Sequence, residues 1–437
     1  MTNFVDNVSL LERSRKVIPG GVNSGARRIP GVDLVIASTD GGTFRDVDGK
    51  TYVDFHMAYG PILLGHNDPD VDRAVIAAMK EIDLTGIGVT RLEIELAERL
   101  VDLVPSFEKV LLTCSGSEAT FHAVRLSRAA TGRQRIIKFQ GCFHGWHDSV
   151  AMNVISPAGK IGQKDPLSTG IMPEVIDATA IVPFNDLAAT RAVFEQYPGE
   201  IAAIILEPIP HNIGCVMPEP GFLEGLRNLC DRHGAVLIFD EVVTGFRHAL
   251  GGFQSISGVT PDLTTVGKAM ANGYPIAALG GRSDLMEMFS TTPGNPVFYA
   301  GTFNGHPAMV AAALATIEKL TNQPVHEHVF ALGEQVRKEL RGLFESLDVP
   351  AVVAGFGSIW VTYFLEPPVT TFTDLLRNDD ELFIAYRLEL LKHGIFEIPI
   401  KLKRNYLAFA HTEQHVHQLV SATEASVRAV LSRRATV

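Results

Sequence analysis

Through the middle of the chain, compact apolar runs alternate with segments whose apolar residues recur every three or four positions. The runs "KVLLTCS", "RIIKFQG", "AIVPF", "IAAIILEP" and "AVLIFDEV" are each bounded by Gly, Pro or polar residues. They predict short buried strands. Between them, Glu118 to Thr131 and Gly221 to His233 carry the helical period and predict amphipathic helices. Strands alternating with helices imply right-handed crossovers and an α/β fold, with a mostly parallel sheet covered on both faces. From about His306 the order changes. Helical patterns at Ala308 to Leu320 and His328 to Glu345 come first, then the strand-like runs "SIWVTYFL" and "NYLAFAH", then a last helix from Glu413 to Leu431. This predicts a smaller α+β domain. The first sixty residues are rich in Gly and Pro and contain a hairpin-like pair, "GTFRDVDGKTYVDF", around an Asp-Gly turn. The expected division is an N-terminal arm over residues 1–60, lying on the large domain or a partner subunit, a large domain over 61–305 and a small domain over 306–437.

Composition agrees with that outline and narrows the function. Of 437 residues, 46% are apolar and 20% charged, which is the make-up of a core-forming chain of two or three domains. A formal net charge of −11, with no basic, aromatic-interleaved stripe, argues against nucleic acid as a partner. No apolar run reaches a membrane span of roughly 18 residues, and the start of the chain lacks the basic-then-apolar layout of a secretory signal. The four cysteines, Cys114, Cys142, Cys215 and Cys230, are scattered without C-x-x-C spacing, so reduced thiols and a cytoplasmic location are expected.

Three stretches carry candidate chemistry. In "LTTVGKAMANGYP", Lys268 has no other charge between Asp262 and Arg282. A lysine in a poorly hydrated pocket has a depressed pKa and becomes a nucleophile able to form a Schiff base, although a lysine reaching into solvent is the commoner use of the residue. In "VLIFDEVVTGFR", Asp240 and Glu241 end a strongly apolar strand, where ligands bind in open α/β sheets. Capping of the next element is the alternative for such a carboxylate. In "LLTCSGSEATFHAVRL", Ser115, Gly116 and Ser117 stand between a strand and a helix. Such a turn offers backbone N–H groups, hydroxyls and a positive helix end to a phosphate, or serves as an ordinary N-cap. Phosphate cup, strand-end carboxylate and desolvated lysine together are the set that pyridoxal phosphate needs. "GCFHGWHDS" adds Phe143, able to stack on the ring, and His144 beside it; the His144/His147 spacing lacks a third ligand nearby, so no metal is expected.

With these residues in place, the chain resembles the class III, fold-type I pyridoxal-phosphate aminotransferases, and among them the glutamate-1-semialdehyde aminomutases most. The matches "VIPGGVNS", "GPILLGHNDP", "SGSEAT", "IIKFQGCFHG", "GFLEGLRNLCDRHGAVLIFDEVVTGFR", "GVTPDLTTVGKAMANGYPIAALGGR" and "AGTFNGHP" occur in order along nearly the whole chain. The resemblance implies pyridoxal 5'-phosphate as cofactor, Lys268 as Schiff-base lysine and proton shuttle, and Asp240 as partner of the ring nitrogen. It implies that Ser115, Gly116 and Ser117 hold the phosphate, with Thr302 reaching it from a neighbouring subunit of a homodimer. Phe143 and Val242 would flank the ring, and Glu207 and Asn212 would line its oxygen side. Ser24 and Arg27 match an arm that grips a substrate carboxylate, and Tyr59 and Lys403 would help shape the substrate pocket.

The departures bear on the substrate. The arm reads "NSGARR", with Gly25 where the aminomutases have Pro, and Lys403 stands at their glutamate, reversing a charge. Ala408 occupies the place of the arginine that many class III enzymes use for 2-oxoglutarate, leaving Lys401, Lys403 or Arg404 to supply a cation, or merely to form a solvated edge. The expected function is therefore ping-pong amino transfer between a small carboxylated amine or amino acid and a keto compound. Intramolecular transfer by a glutamate-1-semialdehyde aminomutase is the alternative, racemisation ranks third, and a non-catalytic protein on the same fold is a distant fourth.

Overall fold

The computed structural model describes residues 6–289, 294 and 296–435. Strands β1 (Ile36–Asp40), β2 (Thr43–Asp46) and β3 (Thr51–Asp54) form an antiparallel meander, and β2 and β3 are the hairpin expected around the Asp48-Gly49 turn. In that turn the Asp46 carboxylate accepts the Lys50 N–H (2.9 Å), and Gly49 has a φ of +90°, the left-handed region that favours glycine.

Strands β4 (Lys109–Thr113), β5 (Arg135–Phe139), β6 (Thr179–Val182), β7 (Ile201–Leu206), β8 (Val236–Glu241), β9 (Leu263–Val266) and β10 (Ala277–Gly281) make the central sheet in the order β4-β10-β9-β8-β7-β5-β6. Only β10 runs against its neighbours, so the sheet is mostly parallel, as in fold-type I transferases. The five apolar runs of the sequence are β4 to β8. Their composition has a direct cause. Side chains alternate across a strand, and here both faces are covered. Ile204, Leu206, Leu237 and Phe239 join one apolar core, while Ala203, Ile205, Val236 and Ile238 join a second on the opposite face.

The two amphipathic segments are helices Gly116–Thr131 and Phe222–His233. Ser115 caps the first with its hydroxyl on the Glu118 N–H (3.3 Å), and Glu118 returns to the Cys114 N–H (2.8 Å), so the strand-to-helix turn is pinned from both sides.

Beyond residue 306, helices Pro307–Asn322 and Val325–Ser346 precede β11 (Val352–Phe356) and β12 (Ile359–Tyr363), then helix Asp380–Leu390, β13 (Ile395–Phe396), β14 (Asn405–Tyr406) and helix Glu413–Ala435. Strands β11, β12 and β14 form an antiparallel sheet, whereas β13 pairs in parallel with β3 and ties the N-terminal meander to the C-terminal part of the chain. The run "NYLAFAH" is a strand only at Asn405–Tyr406. Past that point its backbone turns to other partners: Leu407 donates to Ser358 O, Phe409 to Leu63 O and Ala410 to Leu64 O. Arg247, fully buried, holds this junction by donating to the carbonyls of Gly60, Ile62 and Leu407 and to Ser358 Oγ. Among the described residues no helix is long and apolar enough to cross a membrane.

Candidate active site

At the carboxyl ends of the central strands lies a cavity of about 270 Å³. Five of the seven strands deliver the expected residues to it: Ser115, Gly116 and Ser117 follow β4, Phe143 and His144 follow β5, and Glu207 and Asn212 follow β7. Asp240 and Val242 come from the end of β8, and Lys268 follows β9. These ten are all expected around a cofactor, and they line this one cavity. The remaining expected residues do not line this cavity. Thr302, Ser24 and Arg27 are exposed. Tyr59 is half-buried, with its hydroxyl on the carbonyl of Ala26 and its ring edge-on to His56. Lys403 lies behind Asn212.

The two strand-end carboxylates are separated by the pleat. Asp240 accepts hydrogen bonds from the Val242 N–H (3.1 Å) and the Thr265 hydroxyl (3.1 Å), and pairs with His144 Nδ1 at 2.8 Å. Burial pushes the His144 pKa down, so the neutral ring donates from Nδ1 and Nε2 is left without a partner. Glu241 turns to the other face, where it accepts the Thr244 hydroxyl (2.8 Å), the Gln254 N–H and Nε2, and the Phe253 N–H at the start of helix Gly252–Ser257. Asp240 is thus the carboxylate available to a ligand, and Glu241 is the cap. Thr265, which faces Asp240 across the β8–β9 ladder, is not among the residues the motifs point to. Its signal is the polar pair "TT" inside an apolar strand.

Lys268 begins a short turn with φ of +48°, an unfavourable left-handed backbone for a lysine. Burial, with the Arg404 cation nearby, pushes its pKa below the usual lysine range against the pull of Asp240 and Glu207. Glu207 is displaced the other way: burial and the Asp240 charge raise its carboxyl, although the Phe143 N–H (2.8 Å) stabilises the anion. Across the cavity, the phosphate-type turn has the form the sequence suggests. Gly116 and Ser117 open the helix, so their N–H groups have no acceptor within it. Gly116 is required there because a Cβ would come within 2.9 Å of the Val242 side chain.

Arg404 completes the wall. Of the three cations between residues 401 and 404, only this one reaches the cavity. Lys401 pairs with Asp380 at the surface (3.3 Å). The Arg404 side chain is buried, bonded through Nε to the Tyr406 hydroxyl, and no carboxylate pairs with it among the described residues.

A lysine of depressed pKa, a hydrogen-bonded strand-end aspartate and an N-terminal helix cup on a mostly parallel sheet define a fold-type I pyridoxal-phosphate enzyme. The chain belongs to the class III aminotransferases: the family's sequence model, Aminotransferase class-III, matches residues 24–417. Among solved structures it is similar to an omega-transaminase from Sphaerobacter thermophilus, at 34% identity over 97% of each chain with a TM-score of 0.91. It is also similar to a beta-phenylalanine aminotransferase from Variovorax paradoxus, at 29% identity over 97% of this chain and 94% of that one with a TM-score of 0.87. A glutamate-1-semialdehyde-aminomutase from Pseudomonas aeruginosa PAO1 shares the fold at 24% identity over 96% of this chain and 94% of that one, with a TM-score of 0.87. Pyridoxal 5'-phosphate is the cofactor. The residues present fit it. Free helix N–H groups suit a phosphate, Asp240 suits a protonated ring nitrogen, and Asn212 Nδ2 is a buried donor without a partner.

Proposed function

We propose that this aminotransferase takes as amino donor a small amine or amino acid that carries a carboxylate, and passes the amino group to a keto compound. The observation that carries the carboxylate is Arg404, a buried guanidinium in the cavity wall with its Nε held by Tyr406 and no carboxylate paired with it among the described residues. A buried cation of this kind is stable when a ligand brings the counter-charge, and a planar fork suits a carboxylate. Arg27 and Ser24 on the arm provide further contacts to the same end of the substrate.

Bound pyridoxal phosphate supplies an electron sink for the carbon next to nitrogen. The chain's own groups do the rest. Lys268, which its surroundings cause to give up its proton more readily than a hydrated lysine does, forms the covalent link and carries protons at the reacting carbon. Asp240, oriented by His144 and Thr265, keeps the ring nitrogen protonated. Ser115, Gly116 and Ser117 hold the phosphate, Phe143 and Val242 confine the ring, and Glu207 and Asn212 face its oxygen side. Residues 61–305 act as the cofactor-binding unit, with 306–437 as a smaller domain and 1–60 as the substrate arm. The enzyme acts as a homodimer in which Thr302 serves the neighbouring site, a reading supported by its exposure here. A cytoplasmic location is supported by four cysteines that stay free.

The test is Arg404→Gln, assayed with a carboxylated donor and with an amine of similar size lacking the carboxylate. Loss of one charge-assisted contact of about 1.5–3 kcal/mol predicts a fall of roughly 10- to 150-fold in kcat/KM for the carboxylated donor alone. Equal losses for both donors would overturn the assignment of Arg404. Turnover of glutamate-1-semialdehyde with no added keto acceptor would instead establish an aminomutase.

A further inference from the structure

Asn212 and Lys403 come from distant parts of the chain and meet at the cavity. Asn212 sits in the loop that follows β7, and Lys403 in the turn before β14. The Lys403 ammonium donates to Asn212 Oδ1 at 2.7 Å and to Asn212 O at 3.1 Å. While Lys403 carries its proton, these bonds fix which way the amide faces. In the reverse orientation, an NH2 group would meet an ammonium with no acceptor between them. With Oδ1 taken, the free group is Nδ2, and that atom is buried without a hydrogen-bond partner among the described residues, while its residue lines the cavity.

The environment of Lys403 makes the arrangement costly. Burial, reinforced by the Arg404 and Lys268 cations and opposed by Glu207, brings its pKa down to about 7. The chain invests in both partners' backbones as well. Leu402, just before Lys403, has φ of +61°, and the Lys403 carbonyl is held by Arg387 Nη1 at 2.8 Å. On the other side the Tyr363 hydroxyl donates to Ile213 O (2.8 Å) and accepts the Cys215 N–H (2.9 Å), pinning the Asn212 loop.

From this geometry we infer that Lys403 is a positioning residue for the cofactor: it turns and polarises the Asn212 amide so that Nδ2 is kept as a donor to an oxygen of the bound pyridoxal phosphate. This replaces the substrate contact expected for Lys403, and it rests on the reading of the cavity as the cofactor site. An ammonium on Oδ1 draws electron density from the amide and strengthens its N–H groups as donors. Lys403 therefore acts on the cofactor through Asn212 without touching it.

The experiment compares Lys403→Met, Lys403→Arg, Asn212→Ala and the Lys403→Met/Asn212→Ala double variant in the full-length holoenzyme. The readouts are the wavelength of the visible cofactor band and the dissociation constant for pyridoxal phosphate. Each loss-of-contact single variant is expected to weaken cofactor binding by about ten-fold, the effect of one hydrogen bond to a charged or polarised group. Both should shift the band in the same direction, the double variant should match either single one, and Lys403→Arg should restore part of both signals. Additive losses, or an unchanged band and affinity in Lys403→Met, would overturn the inference. A rise in KM for the carboxylated donor alone, with the band unmoved, would return Lys403 to the substrate and also overturn it. Failure of the underlying reading shows itself separately, as a visible band that survives Lys268→Ala. If Lys403→Met does not fold, Asn212→Ala and Asn212→Asp carry the test, and an unshifted band in both would refute it.

Discussion

The turn that brings Lys403 and Arg404 to the site is held by a buried ion pair, and breaking that pair should lower both stability and recognition of a carboxylated donor. Arg387 and Glu397 both have side chains with no exposed surface. Arg387 Nη1 donates to Ile398 O and to Lys403 O, both at 2.8 Å, and so clamps the two ends of the turn. Its Nε lies 3.1 Å from Glu397 Oε2 without the alignment of a hydrogen bond, Tyr386 donates to that same oxygen at 2.8 Å, and the Phe383 ring lies 4.0 Å from the guanidinium. Arg387→Met leaves the Lys403 carbonyl without a donor, takes one of two donors from the Ile398 carbonyl (the Ile400 N–H stays) and strips a carboxylate of its counter-charge, a loss of about 3–5 kcal/mol. For 437 residues the unfolding entropy near the midpoint is about 0.9 kcal/mol per kelvin, so the melting temperature should fall by about 4 °C. Glu397→Gln keeps both bonds to the turn and should cost less. Adding Glu397→Leu to Arg387→Met removes the stranded carboxylate and should recover part of the loss. Calorimetry of the cofactor-loaded enzyme reads the stability. Steady-state kinetics should show a KM for a carboxylated donor raised by roughly ten-fold through the displaced Arg404, with an uncharged amine little affected. A melting point within 1 °C of the parent (roughly a quarter of the shift expected), or equal changes for both donors, would refute the clamp.

Two further outcomes follow from the buried titratable groups. Lys268→Ala should abolish the visible band of the lysine-linked cofactor. In the parent apoenzyme the rate of cofactor recapture should rise with pH as the ammonium loses its proton, then level off well below the free-lysine pKa of about 10.4. A rise that continues to that value would show Lys268 to be fully hydrated. Acid should destabilise the fold through its buried histidines. The pKa of His56 is pushed down to about 4, and those of His147, His211 and His411 to about 3, mainly by burial. Above pH 6.5 these rings are neutral in both states and stability is unaffected. Below it the unfolded chain takes up protons that the folded chain refuses, at about 1.4 kcal/mol per pH unit for each ring, until the folded pKa values are reached. A melting temperature flat between pH 6.5 and 4.5, a window roughly two pH units inside the histidine range, would contradict that burial.

The cofactor side of this enzyme is legible because topology places it. Ser115, Phe143, Glu207 and Asp240 each stand at or just past the carboxyl end of a strand whose apolar run marks it in the sequence, and Lys268 follows the shorter β9 beside them. Once the sheet is parallel, those ends must converge. Alternation also explains why Asp240 and Glu241, adjacent and chemically alike, have different tasks: the pleat sends one to the cavity and the other to the cap of helix Gly252–Ser257. Nothing in the order of residues shows that Thr265 and His144 meet on Asp240, because that contact depends on the register of β8 with β9 and on a loop after β5.

The substrate side is hidden for a different reason. In "KLKRNY" three cations stand within four residues, and by composition they are equivalent. Had the segment continued as a strand, Lys401 and Lys403 would have shared one face and Arg404 the other. The backbone instead turns at Leu402, whose φ of +61° no sequence rule assigns to a leucine, and the three cations part. Lys401 goes to Asp380, Lys403 to Asn212, and Arg404 to the cavity. Arg404 stays there because Tyr406 holds its Nε and in turn donates to Tyr59 O at 3.0 Å, and a Cβ at Gly60 would strike the Tyr406 ring. The chemistry is thus written in residues that the sheet must gather. The proposed substrate contact rests on a single turn, held in place by Arg387, Tyr406 and Gly60, none of which carries a functional signature of its own.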